Sequence, residues 1–256
     1  MDSATRLRAL VTHLEAAAGD EPAPPPLVRV AAFCVDATPP IGTPLMNGGS
    51  VDNAREIVTP LTARGLVFLG LPSGGPVVLC AVDWTGIANE SHDRFRAALA
   101  AGAGTDTARV ALHTLHQHDA PGTGSASDSL LATYGLDGRV SNPALDDAVV
   151  ARLESAVRAA TASGGTAVAK VGAGAGKVDR VASNRRILGP DGKVALQRQS
   201  AGATDPKAAA APEGTIDPFL RVLGFWGVDD QPIACVSNYA THPMSFYGKN
   251  RKLPAI

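Results

Sequence analysis

Short apolar segments typical of strands alternate with helical segments along most of this 256-residue chain, and this alternation constrains its fold more than any other feature. Helices are predicted for NESHDRFRAALAAG, with Asn89 as its cap, and for the segment after Asn142, where apolar residues recur at every fourth position until Gly164. The order of elements predicts an α/β fold in which a mixed central β-sheet is covered by helices. The predicted strands are LVRVAAFCV, RGLVFLG, PVVLCAV, ARVALHTLHQH, TAVAKV, FLRVLGFW and PIACVSNYATH.

The N-terminal segment has a different pattern from the rest. Apolar residues at helical spacing predict an amphipathic helix over residues 4–18. The three consecutive prolines that follow, Pro24 to Pro26, cannot continue a helix and favour an extended connector. We therefore expect residues 1–26 to form a helix and a proline-rich linker, and residues 27–256 to form the main domain.

Two further segments are predicted to be loops. VGAGAGKV is rich in glycine, but Gly172 and Gly176 are separated by three residues, and Val178 stands where a phosphate-binding loop needs Ser or Thr. It is therefore predicted to be a flexible loop after a strand rather than a nucleotide site. Residues 199–215 are small and polar without a stable period, which predicts a surface loop.

Composition excludes several classes of protein. Hydrophobic residues make up 45%, charged residues 18% and the net charge is -1, which is typical of a globular protein and indicates neither disorder nor a nucleic-acid partner. No apolar run approaches the ~20 residues of a transmembrane helix, and the N-terminus lacks the continuous apolar segment of a secretory signal. The three cysteines lie far apart in apolar segments, which predicts buried free thiols and favours the cytoplasm.

Histidines are the residues most indicative of chemistry. His113, His116 and His118 lie close together, and if the strand continues through them, His116 and His118 share one face. Their imidazoles could then approach one ion or substrate, while His113 would face the opposite side in a structural role. Each could also be an ordinary hydrogen-bonded strand residue. Asp83, which ends an apolar strand, and Asp119, which directly follows the two histidines, could orient the imidazoles or simply begin turns.

His242 is a third imidazole at the end of a predicted strand, far from His116 in sequence. Only folding could bring these two rings together. Zinc usually takes three or four protein ligands, and these histidines offer two or three of them.

Five segments of the chain resemble, in the same order, segments of the neutral (alkaline, non-lysosomal) ceramidase family. RVAAFCVDATPPIGTPLMNG resembles the N-terminal signature of that family, in which a strand enters a D-I-T-P-P-I-G-T-P-type loop. ARGLVFL and VVLCAVD resemble the two strands that follow, LHQHDAP resembles T-H-T-H-S-G-P, ASNRR resembles a short Asn-Arg element, and VSNYATHP resembles N-F-A-x-H-P/x. The resemblance extends from about Val28 to about Tyr247, and it implies the N-terminal part of a ceramidase catalytic domain.

This resemblance implies a hydrolase that cleaves the amide bond of N-acylsphingosine with one zinc ion, which the family holds by two histidines, a glutamate and a tyrosine. His116 and His242 match the two zinc-binding histidines, and His118 matches the histidine near the zinc-bound water and the substrate. Arg185 matches an arginine near the catalytic centre. The implied partner is a small-molecule or lipid N-acyl substrate. Family members are often exported, so the location of this protein stays open.

The chain also departs from the family. Gln117, Asp119 and Ala120 replace Thr, Ser and Gly, so the pocket wall differs. The glutamate and tyrosine ligands and a catalytic serine motif lie downstream of the segments matched here. One hypothesis is a zinc-dependent amide hydrolase completed by downstream sequence, and a variant of it acts on a different acylated substrate. The other is a non-catalytic or incomplete ceramidase-like domain that serves as a binding or scaffold module.

Overall fold

The structure, a computed structural model, describes residues 28–47, 50–72, 74–198, 205–241 and 243. The predicted helix over residues 4–18, the proline-rich linker and His242 lie outside these residues, so the division into two segments remains a prediction. The elements in chain order are β1 (Arg29–Asp36), β2 (Pro44–Asn47), β3 (Ser50–Asn53), β4 (Thr62–Leu69), β5 (Val77–Val82), β6 (Gly86–Ile87), α1 (Asn89–Ala103), a 3-10 turn (Thr107–Arg109), β7 (Val110–Thr114), β8 (Gly122–Thr123), α2 (Ser125–Ala132), α3 (Pro143–Ala162), β9 (Thr166–Ala167), β10 (Lys170–Lys177), β11 (Arg186–Leu188), β12 (Val194–Gln197), α4 (Pro206–Ala210), β13 (Phe219–Trp226) and β14 (Pro232–Asn238).

A mixed five-stranded sheet forms the centre of the domain, with the strand order β7-β5-β4-β1-β9. Strands β5 and β7 are parallel, and the other neighbours are antiparallel. A parallel pair needs a crossover connection, and α1 supplies it between β5 and β7. The predicted α/β class with a mixed central sheet is confirmed.

Helices α1 and α3 pack against each other and against one face of this sheet. The predicted apolar stripe of α3 is fully buried there, and the Asn142 side chain caps the helix by accepting a hydrogen bond from the Leu145 amide at 3.2 Å. The two helices approach so closely that a Cβ on Gly102 would lie 2.5 Å from the Glu154 carbonyl oxygen. The core between helices and sheet includes Phe33, Leu45, Val67, Val78, Val82, Trp84, Phe95, Leu99, Val149, Leu153 and Val157.

A second, antiparallel sheet with the order β10-β13-β14 packs on the other face of the central sheet. Val30, Leu66 and Phe225 are buried at this contact. Strand β10 contains the VGAGAGK sequence and pairs with β13 over its whole length, so the prediction of a flexible loop is wrong. The small residues leave room for a large neighbour, because a Cβ on Gly172 would lie only 3.0 Å from the Trp226 ring.

The N-termini of helices α4 and α1 differ from the sequence predictions. The predicted 199–215 loop contains helix α4, whose first turn is capped by Asp205 accepting from the Lys207 amide at 2.8 Å. The prediction that Asn89 caps α1 is wrong, because the N-cap residue is Ala88 and no side-chain hydrogen bond caps the helix. Asn89 itself is the first helical residue and has a positive φ of 51°.

The cysteines are all free, as predicted, but they are not all buried. Cys80 lies on the helix-facing side of β5, and burial raises the pKa of its thiol to about 12. Cys34 and Cys235 are exposed, because each side chain points away from its neighbouring core in an alternating strand. Within the part of the chain that the structure describes, no helix is both long and apolar enough to span a membrane.

Candidate functional site

Residues 115–123, which we call the histidine loop, follow strand β7 and run beside the segment that follows β5. Strand β7 ends at Thr114, so the prediction that the strand extends to His118 is wrong. The Leu115 amide still donates to the Val82 carbonyl at 2.9 Å, but His116 has a left-handed φ of 57° and turns the chain. His113 lies within strand β7 and is exposed.

The turn brings the imidazoles of His116 and His118 together. Their ring centroids are 4.8 Å apart, the ring planes are at 89° to each other, and the two Nε2 atoms are 3.3 Å apart. The sequence predicted that the two side chains share a face because alternate residues of a strand point to the same side. In the structure, the left-handed backbone of His116 brings the rings together instead. Two imidazole nitrogens at this separation can share a proton or face one small cation.

A backbone contact determines which nitrogen of His116 carries the proton. Nδ1 lies 2.8 Å from the carbonyl oxygen of Thr85. Because a carbonyl can only accept, Nδ1 is the donor, and in the neutral ring the lone pair is therefore on Nε2. This is the nitrogen that faces His118. Metal-binding histidines commonly have such a fixed tautomer, with the other ring nitrogen bonded to a carbonyl or carboxylate.

The segment after β5 is itself held rigidly. Trp84 is fully buried, donates from Nε1 to the Ala37 carbonyl at 2.9 Å and packs edge-on against Phe95 with ring centroids 5.8 Å apart. Asp83 accepts hydrogen bonds from the amide and the hydroxyl of Thr62, both at 2.8 Å, and so holds the first residue of strand β4. Among the described residues, the Asp83 carboxylate contacts Thr62 and Arg64 rather than an imidazole.

The polar side chains within the histidine loop stabilise its curvature. Asp119 is 2% exposed, and its backbone amide donates to the Gln117 side-chain oxygen. The Gln117 side-chain nitrogen donates in turn to the Asp119 carbonyl at 3.2 Å. A glutamine can hydrogen-bond to both the amide and the carbonyl of another residue because its side-chain amide has both a donor and an acceptor. Gln117, which stands where the family motif has threonine, therefore stabilises the conformation of this loop.

A buried polar network lies under the C-terminal end of the histidine loop. The Thr123 hydroxyl donates to the Asp146 carboxylate, and the Ser91 hydroxyl is 3.2 Å from that of Thr123. All three residues are less than 9% exposed. Burial raises the pKa of Asp146 to about 6, although the Thr123 hydroxyl and the more distant Arg94 act in the opposite direction. The network ties α1 and α3 to β8.

The Asn-Arg element lies just before strand β11, in a segment held by a buried arginine. Arg185 is exposed, and among the described residues no hydrogen bond or ion pair joins it to the histidine pair. Its carbonyl accepts from the Arg198 amide at 2.8 Å. Arg198 is 9% exposed, and its guanidinium donates to the carbonyls of Asn184 at 3.0 Å, Ala208 at 2.9 Å and Pro212 at 2.6 Å.

The described residues alone do not form a complete metal centre. His242 lies outside them, and within them no group of three or more His, Cys, Asp or Glu side chains could hold a metal ion. The imidazole of His116, whose tautomer is fixed by Thr85, is a donor of the kind that suits a borderline-soft cation such as Zn²⁺.

Sequence reasoning missed the residues that support the histidines. Thr85, Thr123 and Asp146 are buried, but nothing in their local sequence distinguishes them from surface residues of the same type. Arg198 was missed for the same reason. A buried aspartate in the first turn of a helix reads from sequence as an ordinary favourable charge at the positive end of the helix.

Comparison with known proteins identifies the architecture. No protein-family model matches this chain, and no curated protein sequence matches it. Among solved structures, the neutral ceramidase from Pseudomonas aeruginosa superimposes with a TM-score of 0.60 at 21% identity, over 87% of this chain and 34% of that one. A ceramidase complexed with C2 gives a TM-score of 0.58 at 19% identity, over 91% of this chain and 37% of that one.

These similarities show that the chain has a ceramidase-like fold. The chain spans about a third of the length of the structures that it matches. At this level of identity the likeness concerns the architecture alone.

Proposed function

We propose that this chain is part of a zinc-dependent hydrolase of the neutral ceramidase type, which cleaves an N-acyl amide bond with a metal-activated water. The observation that carries the proposal is the pair of imidazoles at 3.3 Å, presented by a turn at the end of a strand in a ceramidase-like fold. The substrate class is a small-molecule or lipid N-acyl amide.

His116 and His242 are the residues proposed to hold the ion. For His116, the hydrogen bond from Nδ1 to the Thr85 carbonyl means that in the neutral ring the lone pair is on Nε2, the nitrogen beside His118. Zinc, when bound, would supply a Lewis acid that polarises the scissile carbonyl and lowers the pKa of its water to about 7. Both imidazoles must be neutral to serve as ligands, so binding should weaken in acid.

His118 is proposed to act on protons rather than on the ion. Its Nε2 lies beside that of His116, where it can donate a hydrogen bond to an oxygen that gains negative charge or pass a proton to a departing amine. Arg185 is proposed to stabilise negative charge on the substrate. Its exposure leaves the guanidinium accessible to a ligand, and its backbone is held by Arg198.

The test is a measurement of zinc content and of N-acyl amide hydrolysis in the wild-type chain and in single variants. We expect one zinc per chain, lost in His116→Ala and in His242→Ala. His113→Ala is the matched control, because His113 is an exposed histidine of the preceding strand. His118→Ala should keep the zinc and lose hydrolysis. Zinc content that is unchanged in His116→Ala would contradict the proposal.

A second candidate function is a binding or scaffold module without catalysis, and it is favoured by the replacement of the family's Thr, Ser and Gly by Gln117, Asp119 and Ala120 in the histidine loop. It predicts binding of an N-acyl amide without turnover. Retained ligand binding in the His116→Ala, His242→Ala double variant, together with no hydrolysis in wild type, would support this candidate over the hydrolase.

A further inference from the structure

We propose that Thr85 is the positioning residue of the candidate site, and that it holds His116 in place and fixes its tautomer through contacts along the histidine loop. The inference rests on the proposed function for the role of His116 as a ligand. The geometry of Thr85 stands independently of that role.

Every polar atom of Thr85 contacts the histidine loop or the residue before it. Its amide donates to the Pro121 carbonyl at 3.0 Å, and its carbonyl accepts from His116 Nδ1 at 2.8 Å. Its hydroxyl lies 2.7 Å from the Gln117 carbonyl and 3.0 Å from the Ala120 carbonyl. Thr85 is 6% exposed, so water has little access to replace these contacts. Thr85 therefore bonds to the histidine loop at residues 116–117 and again at residues 120–121.

The contacts matter because the conformation of His116 is not one that its own backbone prefers. A φ of 57° is the left-handed region, which is unfavourable for a residue with a side chain. The conformation is kept by the bond from Nδ1 to Thr85 and by the bond from the His116 amide to the Trp84 carbonyl at 3.1 Å. Loss of these contacts would let the residue return to an extended conformation, which would carry its ring away from His118.

The hydroxyl of Thr85 has a role distinct from that of its backbone. It has one proton, which it can share between the carbonyls of Gln117 and Ala120. Ala120 is fully buried, so removal of the hydroxyl leaves its carbonyl without that donor in a place closed to water. Thr85→Val removes only this donor at nearly constant volume, whereas Thr85→Ser keeps it. The pair of variants therefore separates hydrogen bonding from packing.

The first experiment uses the metal-free wild-type chain and long-range ¹H–¹⁵N correlation spectra of the histidine rings. We expect His116 to be protonated at Nδ1 as a single tautomer near neutral pH. In Thr85→Val we expect a mixture of tautomers, and in Thr85→Ser the wild-type spectrum. A mixture of tautomers in the wild type would overturn the inference without any variant having to fold.

The second experiment titrates the same proteins with Co²⁺ and follows its visible absorption. Partners that orient metal-binding histidines typically contribute about 10- to 100-fold in metal affinity, so Thr85→Val should weaken Co²⁺ binding by about that factor and Thr85→Ser should not. Thr59→Val, at an exposed threonine, is the control. Equal Co²⁺ affinity and equal ring spectra in wild type and Thr85→Val would overturn the inference. No Co²⁺ binding by wild type would contradict the proposed function, while the ring spectra would still decide the role of Thr85.

Discussion

The substitution Asp146→Asn should make the stability of this protein less dependent on pH, because it removes a carboxylate from a buried site. Asp146 is 4% exposed and accepts a hydrogen bond from the Thr123 hydroxyl. Burial raises its pKa from the ordinary value of 3.8 to about 6, against the influence of Thr123 and Arg94. Nearby carboxylates of Asp128 and Asp147 act in the same direction as burial.

The sign and size of the effect follow from proton linkage. Because the folded state has the higher pKa, it binds the proton more tightly than the unfolded state, so this group stabilises the fold most below about pH 4. That contribution is lost as the pH rises through about 6. A difference between 3.8 and about 6 corresponds to about 3 kcal/mol at 1.36 kcal/mol per pKa unit. Asparagine can still accept from Thr123, but its buried amide hydrogens need acceptors, which offsets about 1–3 kcal/mol.

The assay is urea unfolding of wild type and Asp146→Asn at several pH values between 4 and 7.5. Other carboxylates affect both proteins, so the informative quantity is the difference in unfolding free energy between the two proteins at each pH. We expect that difference to move by about 2–3 kcal/mol in favour of the variant as the pH rises over this range. Asp137→Asn, at an exposed aspartate, controls for net charge. A difference that stays constant across the pH range would refute the reasoning.

Two further predictions concern packing and thiol reactivity. Gly102→Ala should destabilise the protein by about 1–3 kcal/mol in urea unfolding, because the new Cβ would lie 2.5 Å from the Glu154 carbonyl oxygen, and a gain in stability from the better helix propensity of alanine would contradict this close approach. Cys80 should react with a thiol reagent only after unfolding, because its thiol is buried with a pKa raised to about 12, whereas the other two cysteines should react in the folded protein. A Cys80→Ser variant should show the same folded-state reactivity and one thiol fewer when unfolded.

The secondary elements could be predicted wherever the period of apolar residues and the capping residue agreed. Helix α3 is such a case, because its apolar stripe and the cap at Asn142 mark the same segment. Strand β10 is the contrary case, because its glycines and alanines carry neither a period nor strand propensity. It is a strand because β13 pairs with it and because the Trp226 ring needs small neighbours.

The candidate site was predictable only in part. Sequence reasoning selected His116 and His118, and the structure brings their rings together, but through a left-handed turn that strand periodicity cannot foresee. The roles of these residues, of Arg185 and of His242 remain predictions. The supporting contacts of Thr85 could not be predicted, because they join segments about thirty residues apart in sequence.

The sequence by itself determined the class of the fold, the positions of helices α1 and α3 and of every strand of the two largest sheets except β10, and the cluster of imidazoles. It could do so because local periodicity and residue type act over a few neighbouring positions. Tertiary structure alone decided which nitrogen of His116 carries the proton, which threonine bonds to it and which aspartate is buried deeply enough to have a raised pKa. These properties depend on hydrogen bonds and on exclusion of water between segments that meet only after folding.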